Sequence, residues 1–511
     1  MNKKNQTVGL MSLYTVENNG LRVLSSILRE NGYRVIEIYL KDWKNNCLEL
    51  PNEYEINSVI KILKQYDADL LGVSVRTSGF MNIASNITNQ IKEELNLPVI
   101  WGGMHPTSMP EECIKVVDFI CIGEAEEAFI EFVNKFFQNE RLDNILNIWR
   151  NKDKIISRNP LRPVVADLNS IPFRDFMSQD KYFIDKKSVA KGDPCLNDRI
   201  YLINASRGCL YQCSFCMISL LKDIYKNYGS YLYRCRSVDN IIQELLEAKK
   251  FFPKLKRIRF DDELFIADKN WLRNFSKEYK KHIALPFDIL THPSVINKES
   301  LLLLKKAGLD TVLVGVQNTE RINKVLYSRH QNNDQVIAAA NVLRSLGLKS
   351  CYQVILDDPV STSNDKNELF KLICSLPRPY ELYLFSLTIY PNTPLAKKLI
   401  SDGYIKYSEQ LEVIKKIFYQ YRVDLNFKRS KEDIFWTSLL VLASKRFIPI
   451  EFLKAVSKSQ YLKKNPYIIK CFAQFVNLLK MIFIVSSGLL KGEINLKIIK
   501  RWLNFKSLIT Q

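Results

Sequence analysis

Glycine and proline are scarce in this chain, 17 and 18 of 511 residues. That excludes collagen-like, low-complexity and proline-rich disordered architectures. No uncharged apolar run reaches the ~18 residues a membrane-crossing helix needs; the nearest, Tyr467–Leu490, is broken by Lys470 and Lys480. No secretory leader is expected either, because Met1–Gln6 is polar and the first apolar run, Val8–Tyr14, is too short for a signal core. The expectation is a cytoplasmic chain with reduced thiols, whose 11 cysteines are read as ligands before bridges. What is present suits an enzyme: 47% apolar and 25% charged residues, and length for two or three domains.

The charge is uneven. Lys and Arg number 74 against 54 Asp and Glu, a net +20, and residues 405–511 alone carry 20 against 7. A basic C-terminal module on a near-neutral body suits an anionic membrane surface, nucleic acid or an acidic partner, or is a solvated lysine face. Within it Ile468, Phe472, Phe475, Leu479 and Ile482 recur every three or four residues and share one helix face, opposite Lys470, Gln474 and Asn477. Most such helices pack on their own protein; the other reading is docking on a membrane surface or a lipid-like substrate.

The patterning predicts an α/β chain in successive parts. Residues 1–140 alternate short β runs (Val8–Leu10, Val35–Leu40, Leu70–Val75, Val99–Trp101, Asp118–Gly123) with amphipathic helices, which reads as a Rossmann-like open parallel sheet. Its ligand loops would be Ser74–Gly79, Gly102–Pro110 and Gly123–Glu127. Residues 141–198 form a connector of weak periodicity. Residues 199–403 hold six more β-α units, starting at Ile200, Ile258, Phe287, Thr311, Ser350 and Glu381, which suit a partial (β/α)6 barrel with chemistry at its C-terminal face. Residues 404–511 read as a helical, basic C-terminal region.

The strongest chemical signal is the run Ser206-Arg207-Gly208-Cys209-Leu210-Tyr211-Gln212-Cys213-Ser214-Phe215-Cys216. It lies just after the first strand of the second series, where barrel chemistry is expected. Three thiolates at C-x3-C-x2-C spacing can wrap one soft metal centre. Structural zinc is four-coordinate and built from paired knuckles, and Cys195 and Cys235 offer no second C-x2-C. A [4Fe–4S] cube held by three cysteines keeps one iron open for a substrate or cofactor.

That loop, with Phe215 in the aromatic place, resembles the radical S-adenosylmethionine (SAM) superfamily. The resemblance extends through Tyr233-Arg234-Cys235-Arg236-Ser237, Phe260-Asp261-Asp262-Glu263-Leu264-Phe265, Val314-Gly315-Val316-Gln317 and Tyr390-Pro391-Asn392-Thr393-Pro394-Leu395 to a subgroup carrying an N-terminal cobalamin-binding domain. Trp101-Gly102-Gly103-Met104-His105-Pro106-Thr107, Ile122-Gly123-Glu124-Ala125-Glu126 and Gly72-Val73-Ser74-Val75-Arg76-Thr77 resemble that domain's loops. The resemblance implies that Cys209, Cys213 and Cys216 hold the cluster. It implies that Phe215, Met217, Asp261, Asp262 and Gln317 lie on the SAM side. Ser74, Thr77, Gly102, Gly103, His105, Thr107, Gly123 and Glu124 would lie on the cobalamin side. No D-x-H-x-x-G run exists, so no histidine from that motif would sit below cobalt, and His105 is read as shaping its loop or touching the nucleotide tail.

The implied activity is methylation of an unactivated carbon, with methylcobalamin as methyl source and a 5′-deoxyadenosyl radical as activator. The alternative within enzymes is a cyclase, oxidase or rearranging enzyme using the same two domains. From another class, RNA modification would need a second cluster, but Cys47, Cys113 and Cys121 are widely spaced and read as buried thiols. The expected partners are a small-molecule substrate and an external one-electron reductant such as flavodoxin or ferredoxin, with no specific nucleic acid and with membrane contact through the basic region. Three departures from the family stand out: Gln317 for a glutamate, Ala125 for a glycine, and Leu356–Ser361 without the usual glycines.

Overall fold

The computed structural model describes residues 6–42, 49–229, 231, 233–266, 268–406 and 429–490. β1 (Thr7–Leu13) is buried at every position, as a central parallel strand covered on both faces must be. The helix Asn19–Glu30 begins at Asn18, whose side chain accepts from the Leu21 N–H. The helix Glu53–Gln65 opens on a capping box of Asn52 and Glu55. With β2 (Arg34–Leu40), β3 (Leu70–Ser74), β4 (Val99–Gly102) and β5 (Phe119–Cys121) these build a parallel sheet in the order β5-β4-β3-β1-β2. Strand order reverses at β1, so the loops after β1 and β3 flank the crevice where such sheets take ligands.

The connector is more structured than its sequence suggests. It supplies β6 (Ile148–Lys152), β7 (Ile155–Ser157), β8 (Lys181–Asp185) and β9 (Ser188–Lys191), which extend the first sheet to nine strands. β8 joins β2 in parallel, and the other three pair antiparallel at the edges. These strands are short and half polar, which leaves little period-two signal. A buried charge network closes the seam: Arg22 bonds Asp193 at 2.5 Å, and Lys181 reaches Asp193 at 2.9 Å and Glu37 at 3.4 Å.

The second sheet is wholly parallel and sequential. β10 (Ile200–Ile203), β13 (Arg257–Phe260), β14 (Phe287–Thr291), β15 (Leu309–Gln317), β16 (Lys349–Leu356) and β17 (Glu381–Ser386) stand in that order, with β10 and β17 outermost. This is the expected partial barrel. A small ribbon of β11 (Ser206–Arg207) and β12 (Arg234–Cys235) follows the first strand.

The described part of the C-terminal region is helical. The helix Lys431–Ala443 is almost wholly buried between Ser363–Ser375 and Pro466–Leu490. Tyr380 and Arg378 anchor it to the barrel through the carbonyls of Ala443 and Ile448, at 3.2 and 2.6 Å. Along Pro466–Leu490 it is Ile469, Ala473 and Val476 that pack inward, whereas the face of Ile468, Phe475, Leu479 and Ile482 is exposed. Among the described residues no helix is long and apolar enough to cross a membrane. Residues 407–428 and 491–511 of the expected helical region, and Cys47, lie outside the described residues.

Candidate functional site

The C-terminal ends of both sheets meet across a cavity of about 480 Å³. The first sheet lines it with Ser74, Gly102, Gly103, Thr107, Gly123 and Glu124. The half barrel closes it with Ser206, Arg207, Ile218 and Leu221, all in or just after the cysteine loop. The three cysteines themselves do not line it; the residues that flank their loop on either side do.

Each polar wall residue has a defined anchor. The Ser74 hydroxyl accepts from Asn18 Nδ2 at 2.9 Å, and the same amide donates to Ser12. Thr107 donates to the Gly103 carbonyl and accepts from the Gly123 N–H, both at 2.9 Å, fixing two loops against each other. Gly103 has φ 101°, and a Cβ there would lie 3.0 Å from the Val75 carbonyl oxygen. Gly123 has φ 77°, and its Cβ would fall 2.0 Å from the hydroxyl of Tyr225, a fully buried residue of the helix Met217–Tyr225. Bare backbone is what lets the two domains close here.

Charge pairs lock the same seam. The Tyr225 hydroxyl accepts the Glu124 N–H at 2.9 Å. The Glu124 carboxylate meets Arg234 at 2.6 Å and Arg207 at 3.5 Å. Glu126 meets Arg207 at 2.6 Å; full burial pushes its carboxyl up, but Arg207 and Arg234 hold it below the usual range. Glu124 thus faces the cavity with its carboxylate already committed to the domain junction.

Thr77 and His105 stand outside this cavity. Thr77 caps the turn Ser78–Phe80 and faces a larger opening of about 1430 Å³ beside Glu17, Arg76 and Tyr390. His105 is 1% exposed, shares a 2.8 Å hydrogen bond with Ser78 through Nδ1, and has no partner at Nε2. Burial pulls it down to about 4, so it is a neutral brace between the β3 and β4 loops.

The cysteine loop is held on three sides. Asp262 accepts from the Ser206 hydroxyl and, at 3.2 Å, from the Ala205 N–H. Complete burial lifts its carboxyl to about 7, although these donors oppose the rise. Ser214 donates from its N–H to the Tyr327 carbonyl at 2.8 Å and from its hydroxyl to that of Leu326 at 2.6 Å. Phe215 sits edge-on to Tyr327 with ring centres 5.0 Å apart, and Met217 opens the following helix. Asp261 is exposed at the end of β13. Gln317 ends β15 in a left-handed turn, φ 61°, with its amide folded over Gly315.

The thiols themselves suit a cluster. Cys213 is buried, and Cys209 and Cys216 are half-buried. The Tyr211 N–H points at Cys209 Sγ at 3.5 Å, and Arg329 Nη1 at Cys213 Sγ at 3.3 Å. Burial raises Cys216 to about 12, and the neighbouring Cys213 and Cys209 add to the rise, so a bound cationic centre is what would stabilise its thiolate. Among the described residues no three Cys, His, Asp or Glu side chains converge on a single ion. The ligands of a cube stand on separate irons and need no such convergence.

Several residues here belong to no recognisable motif. Arg329 is 7% exposed and also binds the Gly315 carbonyl at 2.7 Å. His292, 2% exposed, stacks on Tyr211 at 4.0 Å and has no partner at Nε2. Only the fold brings them to the loop. The glycine-poor segment after β16 also has a physical account. Asp358 accepts from the N–H groups of Val360 and Ser361, at 3.0 and 2.7 Å, and builds the turn itself. Asp357 binds Arg429 of the C-terminal module.

A half barrel with a three-cysteine loop, closed against the ligand crevice of a Rossmann-type sheet, defines a cluster enzyme with a second cofactor domain. Two family models match in these places: the B12 binding domain over residues 6–133, and the Radical SAM superfamily over residues 203–373. An uncharacterized methyltransferase of Pyrococcus horikoshii is 25% identical over 394 residues, covering 75% of this chain and 78% of that one. Cytidylyl-2-hydroxyethylphosphonate methyltransferase of Streptomyces wedmorensis is 21% identical, covering 77% and 79%. An anaerobic magnesium-protoporphyrin IX monomethyl ester cyclase of Rubrivivax gelatinosus is 24% identical, covering 68% and 60%. In fold, the chain is similar to the cobalamin-dependent SAM radical enzyme OxsB solved with aqua-cobalamin and SAM bound, with a TM-score of 0.64, 18% identity and coverage of 98% and 84%. The chain is a radical SAM enzyme with an N-terminal cobalamin-binding domain.

Proposed function

We propose that the enzyme methylates an unactivated carbon of a small molecule of natural-product or lipid-like character, in the cytoplasm, with electrons from a flavodoxin- or ferredoxin-type donor. The observation that carries this reading is the shared cavity, whose walls are the first sheet's ligand loops on one side and, on the other, Ser206, Arg207, Ile218 and Leu221, which flank the cysteine loop. Cys209, Cys213 and Cys216 would hold three irons of a [4Fe–4S] cluster, with Arg329 and the Tyr211 N–H bonded to their sulfurs. When bound, cobalamin supplies a methyl carrier, and SAM on the open iron supplies one-electron hydrogen abstraction.

This chain's residues orient those groups and exclude water. Ser74, Gly102, Gly103 and Gly123 offer a floor on which a flat macrocycle can lie close to backbone. The residues that line the cavity include no histidine. On the SAM side Asp262 posts the loop, Phe215 wedges it against Tyr327, and Met217, Asp261 and Gln317 would be contacts of the bound SAM.

Anaerobically reconstituted protein should carry about four iron, four sulfide and one cobalamin in a single preparation. Replacing Cys209, Cys213 and Cys216 together by Ala should abolish the iron and all SAM cleavage while cobalamin stays bound. A triple variant that still forms 5′-deoxyadenosine overturns the reading.

A further inference from the structure

We propose that the outward face of the helix Pro466–Leu490 docks the enzyme on an anionic membrane surface. The helix presents two apolar faces. Ile469, Ala473 and Val476 pack onto the helix Lys431–Ala443. About a quarter-turn away, Ile468, Phe472, Phe475, Leu479, Ile482 and Phe483 form a continuous stripe, each between 39% and 73% exposed. A soluble surface rarely leaves so long an apolar stripe in water, and such a stripe marks an interaction site.

Charge selects the occupant. Between Lys445 and Leu490 the sequence has eight Lys or Arg and a single acidic residue, Glu451. Lys458 and Lys464 are exposed in the short helices that lead into the stripe. An apolar face inside a strongly basic module is the composition that anionic lipid attracts. The tail beyond the helix, residues 491–511, has five basic residues and one acidic. Its charge has the same sign, so it makes a poor electrostatic complement. Lys470 and Lys480 interrupt the apolar run, and the helix is not long and apolar enough to cross a bilayer. The fitting geometry is a helix lying in the interface with Phe475 and Ile482 in the acyl boundary and lysines at the headgroups.

The test is flotation of the full reconstituted enzyme with vesicles of pure phosphatidylcholine and with vesicles containing a third phosphatidylglycerol. The wild type should float with the anionic vesicles, weaken as salt rises, and stay behind with the neutral ones. Phe475→Glu with Ile482→Glu, both at exposed positions, should lower partitioning about tenfold or more while cluster and cobalamin contents stay unchanged. Lys458→Glu with Lys464→Glu should lower it by about thirtyfold or more, since each basic residue near the surface contributes about fivefold. Equal flotation of wild type and the Phe475/Ile482 variant overturns the proposal. So does a wild type that ignores anionic vesicles at low salt, or one that is a stable dimer which the same variant converts to monomer. Tighter binding to a single-stranded RNA than to anionic vesicles, lost in the lysine variant but kept in the apolar one, would assign the surface to nucleic acid instead.

Discussion

Gly123→Ala is the sharpest probe of the domain junction. The added Cβ would sit 2.0 Å from the Tyr225 hydroxyl oxygen and 2.8 Å from Cζ. Tyr225 is fully buried and cannot swing clear. The φ of 77° costs an alanine about 1–2 kcal/mol, and losing the Glu124 N–H bond to the phenol adds about 1 kcal/mol. With steric relief by a small domain shift, the expected loss is about 2–4 kcal/mol, in the range of strained or overpacked positions. It should appear in the first transition of urea unfolding, since a chain of this size unfolds in more than one step. Cobalamin affinity should fall with it, because the shift opens the cavity. Tyr225→Phe alone should cost about 1 kcal/mol by orphaning that N–H. In the double variant the nearest clashing atom is gone, so the combined loss should fall short of the sum by about 1 kcal/mol or more. Strict additivity, or a Gly123→Ala protein as stable and as cobalamin-tight as wild type, would refute the close approach.

Asn18→Ala removes a helix cap and both hydrogen bonds to Ser12 and Ser74; a loss of about 1–2 kcal/mol and weaker cobalamin retention on gel filtration are expected. Arg329→Met should leave iron content intact but move the cluster's potential to more negative values in a redox titration, because a positive charge and a bond to Cys213 sulfur are lost; an unchanged potential would count against the placement. His105, held neutral by burial with its pKa at about 4, binds a proton in the unfolded chain near 6.5 but not in the folded one. Stability tied to it is therefore complete above pH 6.5 and lost as pH falls toward 4, by about 3 kcal/mol at most. His105→Gln should flatten that slope between pH 6.5 and 5 in denaturation measurements.

Much of this arrangement was legible in the sequence because the strands are central and parallel. All eleven strands expected for the two series form; central ones such as Thr7–Leu13 and Leu70–Ser74 are buried along nearly their whole length and read as largely apolar runs. The edge strands Ile155–Ser157 and Ser188–Lys191 were not legible because they are only three and four residues long and lie largely exposed, without an alternating buried face. The cysteine loop was legible from spacing alone. Its supports were not: Arg329 and His292 lie 113 and 76 residues beyond Cys216, and only closure of the half barrel brings them to it. Spacing also could not show that Asp262 and Glu124, placed in motif positions, spend their carboxylates on holding the loop and the domain seam. The C-terminal helix is the case in which periodicity left two readings open: the stripe of Ile468, Phe472, Phe475, Leu479 and Ile482 faces outward, and Ile469, Ala473 and Val476 pack instead.

The central claim is that one cavity joins methyl transfer to radical chemistry, and product stoichiometry tests it most directly. The reconstituted, cobalamin-loaded enzyme would be given methyl-deuterated SAM, a one-electron reductant and a fractionated metabolite extract as substrate source. S-adenosylhomocysteine and 5′-deoxyadenosine should then rise together, near one to one, with a product heavier by one deuterated methyl group. Sustained formation of 5′-deoxyadenosine with little S-adenosylhomocysteine, and a product that gains no methyl, would contradict the account and assign the enzyme to cyclisation, oxidation or rearrangement.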